Sequence, residues 1–423
     1  MNKHLLAACS RVAEVKAICS THYYEDYDHE QFPYEIIGCD IVPINERSIE
    51  HQKNLARIEA AVDSLEWDIF FIQADMGWWN ALLAKVGLLL NDHPEKHAIF
   101  YMPVDGDVSF PYAFDILKFA SAPVVYTHHA KSVIAKYAPE IAKDVSVMWL
   151  GCETNVFYPL SEEERIIARL KLFGEAYLNQ FLVINVNRNQ VRKDLARCMS
   201  AFHQFHLKHP DSSLYLHSVI SDAGGSLTAQ AQMTGCNIEK PADRIVYAKP
   251  SKQHRWKRVD RIERNPAEVI FSGLDLANPW QRSTLNEMYN AADCLVSTAF
   301  GEGWGLTTTE AMCVGVPVVV PYNTANIDIL GENCERGWGV KSGKDIDHTT
   351  FVYQNGGSPV AHIHADSFVK QLEQVYYHPE KAKAKAQIAL EWCRNNTWAH
   401  REAEWEQLIQ LIAQNQVCEE VLV

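Results

Sequence analysis

The sequence predicts an α/β protein built as two Rossmann-like, doubly wound domains, and three observations carry the prediction. Short apolar runs alternate with helix-patterned segments; the alternation occurs twice; and one run in the second half ends in a glycine turn that opens a helix, in GEGWGLTTTEAMCVG at residues 301–315. Near-continuous apolar strands separated by helices indicate a parallel sheet covered on both faces. Two such sets indicate two domains.

In the first half the strand candidates are VKAICS, EIIGCDIVPI, WDIFFIQ, HAIFYMPV, APVVYTH and VSVMWLG, with HQKNLARIEAAVDSL patterned as a helix among them. In the second half FLVINVN, SLYLHSV, RIVYAK, CLVSTA, VPVVVP and WGVKSG repeat the pattern, with helical segments such as DLARCMSAFHQFHLKH between. A further strand-like run, VIFSG, competes with RIVYAK for one place in the second sheet. The join is expected near NVFYPLSEEER, where a proline precedes an acidic helix start. TWAHREAEWEQLIQLIAQ forms a long helical tail. The expected domains are residues 1–155 and 156–399.

Composition bounds the function. The chain has 423 residues, 47% hydrophobic and 22% charged, which is ordinary for a globular protein and too long for one core. Its 11 cysteines include no C-x-x-C pair and no metal-ligand spacing, and the first residues lack a signal-peptide pattern, so a reducing cytoplasm is the expected location. No run approaches the length of a membrane span. Peripheral membrane contact stays open. The net charge of -14 is uneven: residues 1–178 hold 15 Lys+Arg against 26 Asp+Glu, a balance of -11, and the remainder balances at -3. That acidic half should be repelled by duplex nucleic acid or an anionic bilayer. Against the trend, residues 249–264 (KPSKQHRWKRVDRIER) hold seven Lys/Arg and two acids. They read as a solvated insert or as a contact to an anionic acceptor or partner.

The second half carries the clearer chemistry. FLVINVNRNQVRKDL ends a strand near Asn187, and Arg188 and Lys193 follow before the next helix, with Arg192 as the competing cation. Two cations at a strand's end, opposite a helix start with free N–H groups, suit a diphosphate. The stretch 301–315 supplies that helix start. Gly303 and Gly305 allow close backbone approach, and the amides from Trp304 through Leu306 to Thr307 face anions with the positive end of a helix. Glu310 suits a vicinal diol, because two adjacent hydroxyls match the two oxygens of one carboxylate. Glu302, on the loop, suits the hydroxyls of a sugar ring. In the first half, Asp75 and Trp78–Trp79, Asp105 and Asp107, and His128 and His129 stand where strands end. Asp105 is the candidate partner of an acceptor hydroxyl. The Asp105-Gly-Asp107 spacing also admits a divalent cation, a reading set behind the cationic diphosphate loop.

EGWGLTTTEAMCVGVPVVV resembles the glutamate, seven residues, glutamate signature of the retaining GT-B glycosyltransferases of family 4. VNRNQVRK is similar to that family's diphosphate-binding loop, with Arg188 and Lys193 in the matching places. GCETNVFYP resembles its domain-junction segment, although Glu153 stands where aspartate is more usual, and Trp398 opens a tail like the family's. The resemblance implies two domains facing across a cleft, with helix 400–423 crossing back to the first. It implies transfer of a hexose from a nucleotide-sugar, GDP-mannose or UDP-glucose foremost, with retention and with no metal or other cofactor. Arg188 and Lys193 would neutralise the leaving diphosphate, Glu310 would hold the ribose, and Glu302 with the amides of 303–305 would orient the sugar. A glycan, lipid or small-molecule acceptor would bind the first domain. One departure stands out. The family opens with a strand and a glycine-rich loop, whereas MNKHLLAACSRVAEVKAICS begins in a helix. Either the start is misplaced, or the protein lives without that strand and loop, or the first domain is built differently; if they are missing, the first sheet is one strand short, which favours the alternative of a degenerate protein that binds the donor without turnover. A dinucleotide oxidoreductase would need a G-x-G-x-x-G after a first strand, which neither half has. Sugar transfer to nucleic acid would rest on the basic insert alone.

Overall fold

A computed structural model describes residues 2–19, 34–38, 66–73, 80–108, 111–239, 266–272, 274, 280–352 and 358–414. The chain divides into two compact units, Met1–Gly151 with Asn396–Val423, and Cys152–Asn395. RIVYAK, HQKNLARIEAAVDSL and the basic insert lie outside the described residues, as do Asp75, Trp78 and Trp79.

The first unit opens with helix α1 (Asn2–Cys9), followed by strands β1 (Lys16–Cys19) and β2 (Glu35–Gly38), which pair in parallel. A second parallel sheet has the order β3 (Ile69–Gln73), β4 (His97–Met102), β5 (Ala122–Val125), β6 (Ser146–Val147). Helices α2 (Asn80–Asp92) and α3 (His128–Tyr137) belong to the same unit. Phe100, Met102 and Val125 point from the strands into a core shared with Val86, Phe114 and Ile134. Among the described residues the chain enters this unit through a helix, as read from the sequence.

In the second unit, seven strands form one sheet in the order β11, β12, β8, β7, β13, β14, β15, and every neighbouring pair is parallel. They are β7 (Phe181–Val186), β8 (Ser212–His217), β11 (Ile238–Glu239), β12 (Val269–Phe271), β13 (Cys294–Val296), β14 (Val318–Pro321) and β15 (Trp338–Val340). VIFSG therefore supplies a sheet strand. Two short antiparallel pairs accompany the sheet, β9 (Ser221–Asp222) with β10 (Gly225–Ser226) and β16 (Thr349–Val352) with β17 (Ser358–Ala361). The helices include α4 (Glu162–Phe173), α5 (Leu195–His206), α6 (Arg282–Ala291), α7 (Leu306–Cys313), α8 (Ala325–Leu330), α9 (Ala365–Tyr377) and α10 (Pro379–Asn395). α4 begins where SEEER predicts: Ser161 and Glu164 form a reciprocal capping box.

From β7 the strand order runs outward in both directions, to β8 on one side and β13 on the other. A doubly wound sheet binds ligands where its order reverses, beyond the carboxyl ends of those two strands.

The tail helix α11 (Trp398–Ala413) packs within the first unit. Trp398 stacks on His4, and Arg11 donates to Glu402 and Glu406 at 2.8 and 2.5 Å. Trp405 is fully buried edge-on against Phe71 and Tyr101, with ring centroids 5.3 and 4.7 Å away. Trp405→Ala should therefore lower the unfolding free energy by about 3–5 kcal/mol in a urea titration; a loss under about 1 kcal/mol would show that the tail does not complete this core.

Candidate active site

Three consecutive strand ends build the site. After β7 the chain makes a single helical turn, Val191–Lys193, and then places Asp194 in the left-handed region at φ 47°. That turn carries Lys193 inward, where it is 8% exposed, while Arg188 stays on the surface. After β13 the backbone runs through Thr298 and Gly301 to Glu302, also 8% exposed. Lys193 Nζ donates to Glu302 Oε1, and Arg192 Nη1 donates to Glu302 Oε2 and to the Gly301 carbonyl, both at 3.1 Å. Thr298 Oγ1 ties the two loops together by donating to the carbonyls of Lys193 and Asp194. The third strand end, after β14, supports Glu302 from behind. Thr324 Oγ1 accepts from the Glu302 amide at 2.9 Å, and Asn323 Nδ2 donates to the Phe300 carbonyl.

Burial alone would raise the Glu302 carboxyl, but the charges and hydrogen bonds of Lys193 and Arg192 outweigh it and hold the group below its ordinary value of 4.5. Glu302 is thus ionised at neutral pH and offsets one of the two positive charges that lie at the strand-order reversal.

The loop then turns through Gly303 to Gly305, at φ 96°, and starts α7. The first amides of that helix, at Leu306 and Thr307, have no intrahelical partner and make an anion-facing helix start. Trp304 is 3% exposed, and its ring stacks on Trp392, so the tryptophan packs inward and offers a ligand only its backbone. About one turn further along α7 lies Glu310, whose Oε2 accepts from Tyr289 Oη at 2.6 Å. Burial pushes the Glu310 carboxyl up to about 7, against the lowering effect of Tyr289 and Arg282. Arg282 in turn makes a two-pronged pair with Glu153.

The predicted residues divide by environment. Lys193 and Glu302 come together, as expected of opposite faces of one pocket. Arg192, read as the competing cation, is the arginine on Glu302; Arg188 instead donates to Asp222 Oδ2 at 2.8 Å on an exposed face. In the first unit, Asp105 is exposed beyond β4, and His128, at the start of α3 beyond β5, lies edge-on to Trp149. His129 is partly buried beside it. Asp107 pairs with Lys136 at 2.6 Å, and no convergent ligand group among the described residues includes Asp105 or Asp107. Sequence reasoning missed Thr324, Asn323, Tyr289 and His362. The last donates from Nδ1 to Asp194 Oδ2 (2.8 Å) and lies edge-on to Phe300. Only PYNTANID, a polar run directly after a buried strand, offered a signal for the first two.

Comparison with solved structures establishes the class of fold as GT-B. The chain is similar to sucrose-phosphate synthase from Thermosynechococcus elongatus, at 16% identity over 97% of this chain and 92% of that one, with a TM-score of 0.66. It is similar to Anabaena HepE, solved with UDP and glucose, at 14% identity over 90% and 87% of the two chains (TM-score 0.61). An α,α-trehalose-phosphate synthase (UDP-forming) from Burkholderia vietnamiensis matches at 11% identity over 90% and 81% (TM-score 0.61). Residues 279–404 match the family model described as "Family 4 Glycosyltransferase in conflict systems", a span that begins just before α6, contains both glutamates and ends in α11. This match agrees with the family resemblance read from EGWGLTTTEAM. No curated protein matches the chain.

Removing the Glu302 carboxylate takes from the buried Lys193 and from Arg192 the anion that faces them. Glu302→Ala should cost about 3 kcal/mol of stability at pH 7, read by urea unfolding. Because the folded-state carboxyl is held low, its contribution is complete above pH 4.5 and fades below it, so parent and variant should converge in acid. Equal stability at pH 7 would show that the pair holds nothing together.

Proposed function

We propose that the chain is a retaining glycosyltransferase that moves a hexose from a nucleotide-sugar to a hydroxyl acceptor. The observation that carries the reading is the convergence of Lys193, Arg192 and Glu302 with the start of α7 at the strand-order reversal. A nucleotide-sugar presents a diphosphate between a ribose diol and a sugar, and this site offers cations and amides for the first, Glu310 for the second and Glu302 for the third. UDP-glucose is the leading donor, because HepE was solved with it and the trehalose-phosphate synthase is UDP-forming; GDP-mannose is the next.

In the proposed reaction the bond between the anomeric carbon and the diphosphate breaks while the acceptor oxygen bonds to the same face of that carbon. The acceptor proton passes to the departing phosphate oxygen. Negative charge grows on the diphosphate as the bond stretches, and that is where Lys193, Arg192 and the α7 amides act. Arg188 reaches the same phosphates on exchanging its surface partner Asp222. These fixed positive groups supply the neutralisation that a divalent ion provides elsewhere, so the reading includes no metal requirement. The acceptor, a glycan, lipid or small molecule, is assigned to the first unit, with Asp105 and His128 beyond the ends of adjacent strands as its partners. Asp75 and Trp78 remain candidates outside the described residues. Cytoplasmic residence belongs to the same reading: no disulfide is formed among the described cysteines, and no described helix is long and apolar enough to cross a membrane.

Calorimetric titration with a panel of nucleotide-sugars, with donor hydrolysis followed in the same samples, tests the proposal. One donor should bind and hydrolyse slowly, and Glu310→Ala should abolish binding; binding with no hydrolysis would favour a donor-binding protein without turnover, and no binding to any donor would sink the site. The pH dependence has a definite sign. A carboxyl with a pKa of about 7 accepts fully from a diol only when ionised, so affinity should fall roughly tenfold per unit as pH drops below 7. Glu310→Gln should flatten that profile. Nucleotide-sugars suit this experiment because their diphosphate, esterified at both ends, does not titrate in the same range.

A further inference from the structure

Cys152, Cys313 and Cys393 are far apart in the chain and meet inside the second unit. Cys152 is the first residue of that unit, Cys313 ends α7, and Cys393 lies in the last turn of α10, just before the unit closes at Asn395. Their sulfurs lie within 4.8 Å of one another, and the side chains are 3%, 1% and 0% exposed. Each thiol is in contact with the other two. Cys393 Sγ also stands 3.8 Å from the Thr309 carbonyl oxygen.

A buried cysteine by itself is a small apolar side chain. Three converging on one point form a donor set. Thiolates each about 2.3 Å from a zinc ion stand just under about 4 Å apart, a spacing compatible with this cluster. A disulfide needs sulfurs about 2.05 Å apart. Soft sulfur donors select zinc and copper(I) over hard cations. Two other groups of potential ligands are already engaged internally: His348 with Asp345 at 2.6 Å, and His203 with Glu268 at 2.8 Å. The three cysteines meet sulfur to sulfur.

We propose that Cys152, Cys313 and Cys393 form a structural site for a thiophilic cation, zinc being the representative ion, with the Thr309 carbonyl oxygen beside its fourth position. On binding, three S–H bonds break and three metal–sulfur bonds form; three protons leave to solvent, and no electron moves. The ion joins the two points where the chain enters and leaves the second unit to the helix that carries Glu310. Its existence does not depend on the reaction assigned above.

The experiment uses the full chain, expressed with supplemental zinc and purified without chelator, with metal content measured by mass spectrometry. About one zinc per chain is expected, and replacement by cadmium should bring a thiolate charge-transfer band in the near ultraviolet. Cys313→Ala should lose both signals, whereas His348→Ala, in the exposed histidine group, should keep them. If Cys313→Ala does not fold, the cadmium band of the unsubstituted chain decides. A chain that takes up neither metal stoichiometrically overturns the proposal, as does zinc that survives Cys313→Ala and disappears in His348→Ala.

Discussion

The second unit's site depends on one constraint: Glu302 must stay ionised while buried. A buried carboxylate without partners would take up a proton. Lys193 and Arg192 prevent this, and they reach Glu302 only because β7 and β13 are adjacent parallel strands whose ends open on the same side. The same adjacency of β13 and β14 brings Thr324 to the Glu302 amide. Three loops are thereby locked at one residue, two through its side chain and the third through its amide. A diphosphate arriving here would meet cations already aimed, one of them the buried Lys193, and would compete with Glu302 for them.

Backbone strain is concentrated around that constraint. Asp194 and Thr324 are two of four described residues other than glycine with positive φ, a conformation that costs non-glycine residues of order 1–3 kcal/mol. Each is held by hydrogen bonds that set the loop's direction. Asp194 receives Arg197 and His362 on one carboxylate oxygen, and its carbonyl accepts from Thr298. Thr324 offers its hydroxyl to the Glu302 amide. The left-handed residue after the Val191–Lys193 turn swings the chain from the site into α5, leaving Lys193 on the inner side.

These facts explain what was legible in the sequence. The second-half strands FLVINVN, SLYLHSV and VPVVVP could be read because a sheet covered on both faces demands continuous apolar runs. β12 was harder, since only Val269–Phe271 pair, and three residues leave little pattern. Glu302, Lys193 and Glu310 were legible because strand ends, glycines and a helix start sit in a fixed local order. The choice between Arg188 and Arg192 was not. Both occupy one polar loop, and a single turn of helix decides which faces Glu302. Thr324, Tyr289 and His362 owe their roles to strand and helix neighbours that no local pattern encodes, and the three meeting cysteines lack any informative spacing for the same reason.

The two glutamates of the motif show how one short segment creates opposite electrostatic environments. Glu302 lies on the loop, against two cations, and is held ionised; Glu310 lies within α7, where burial dominates and a phenol is its close partner, and its pKa rises to about 7. An α-helix start favours negative charge only within its first turn. Glu302 precedes that turn and Glu310 follows it, so the helix dipole helps neither much, and local partners decide. The division suits a ligand with a charged centre and neutral flanks. In the proposed reading, the ionised group faces the cations for which a diphosphate would compete. The half-ionised group waits for hydroxyls, whose hydrogen bonds stabilise its charged form and draw its pKa down on binding. On the proposed reading, ligand affinity would be coupled to proton release from Glu310, while the pairing at Glu302 stays unaffected by pH across the neutral range.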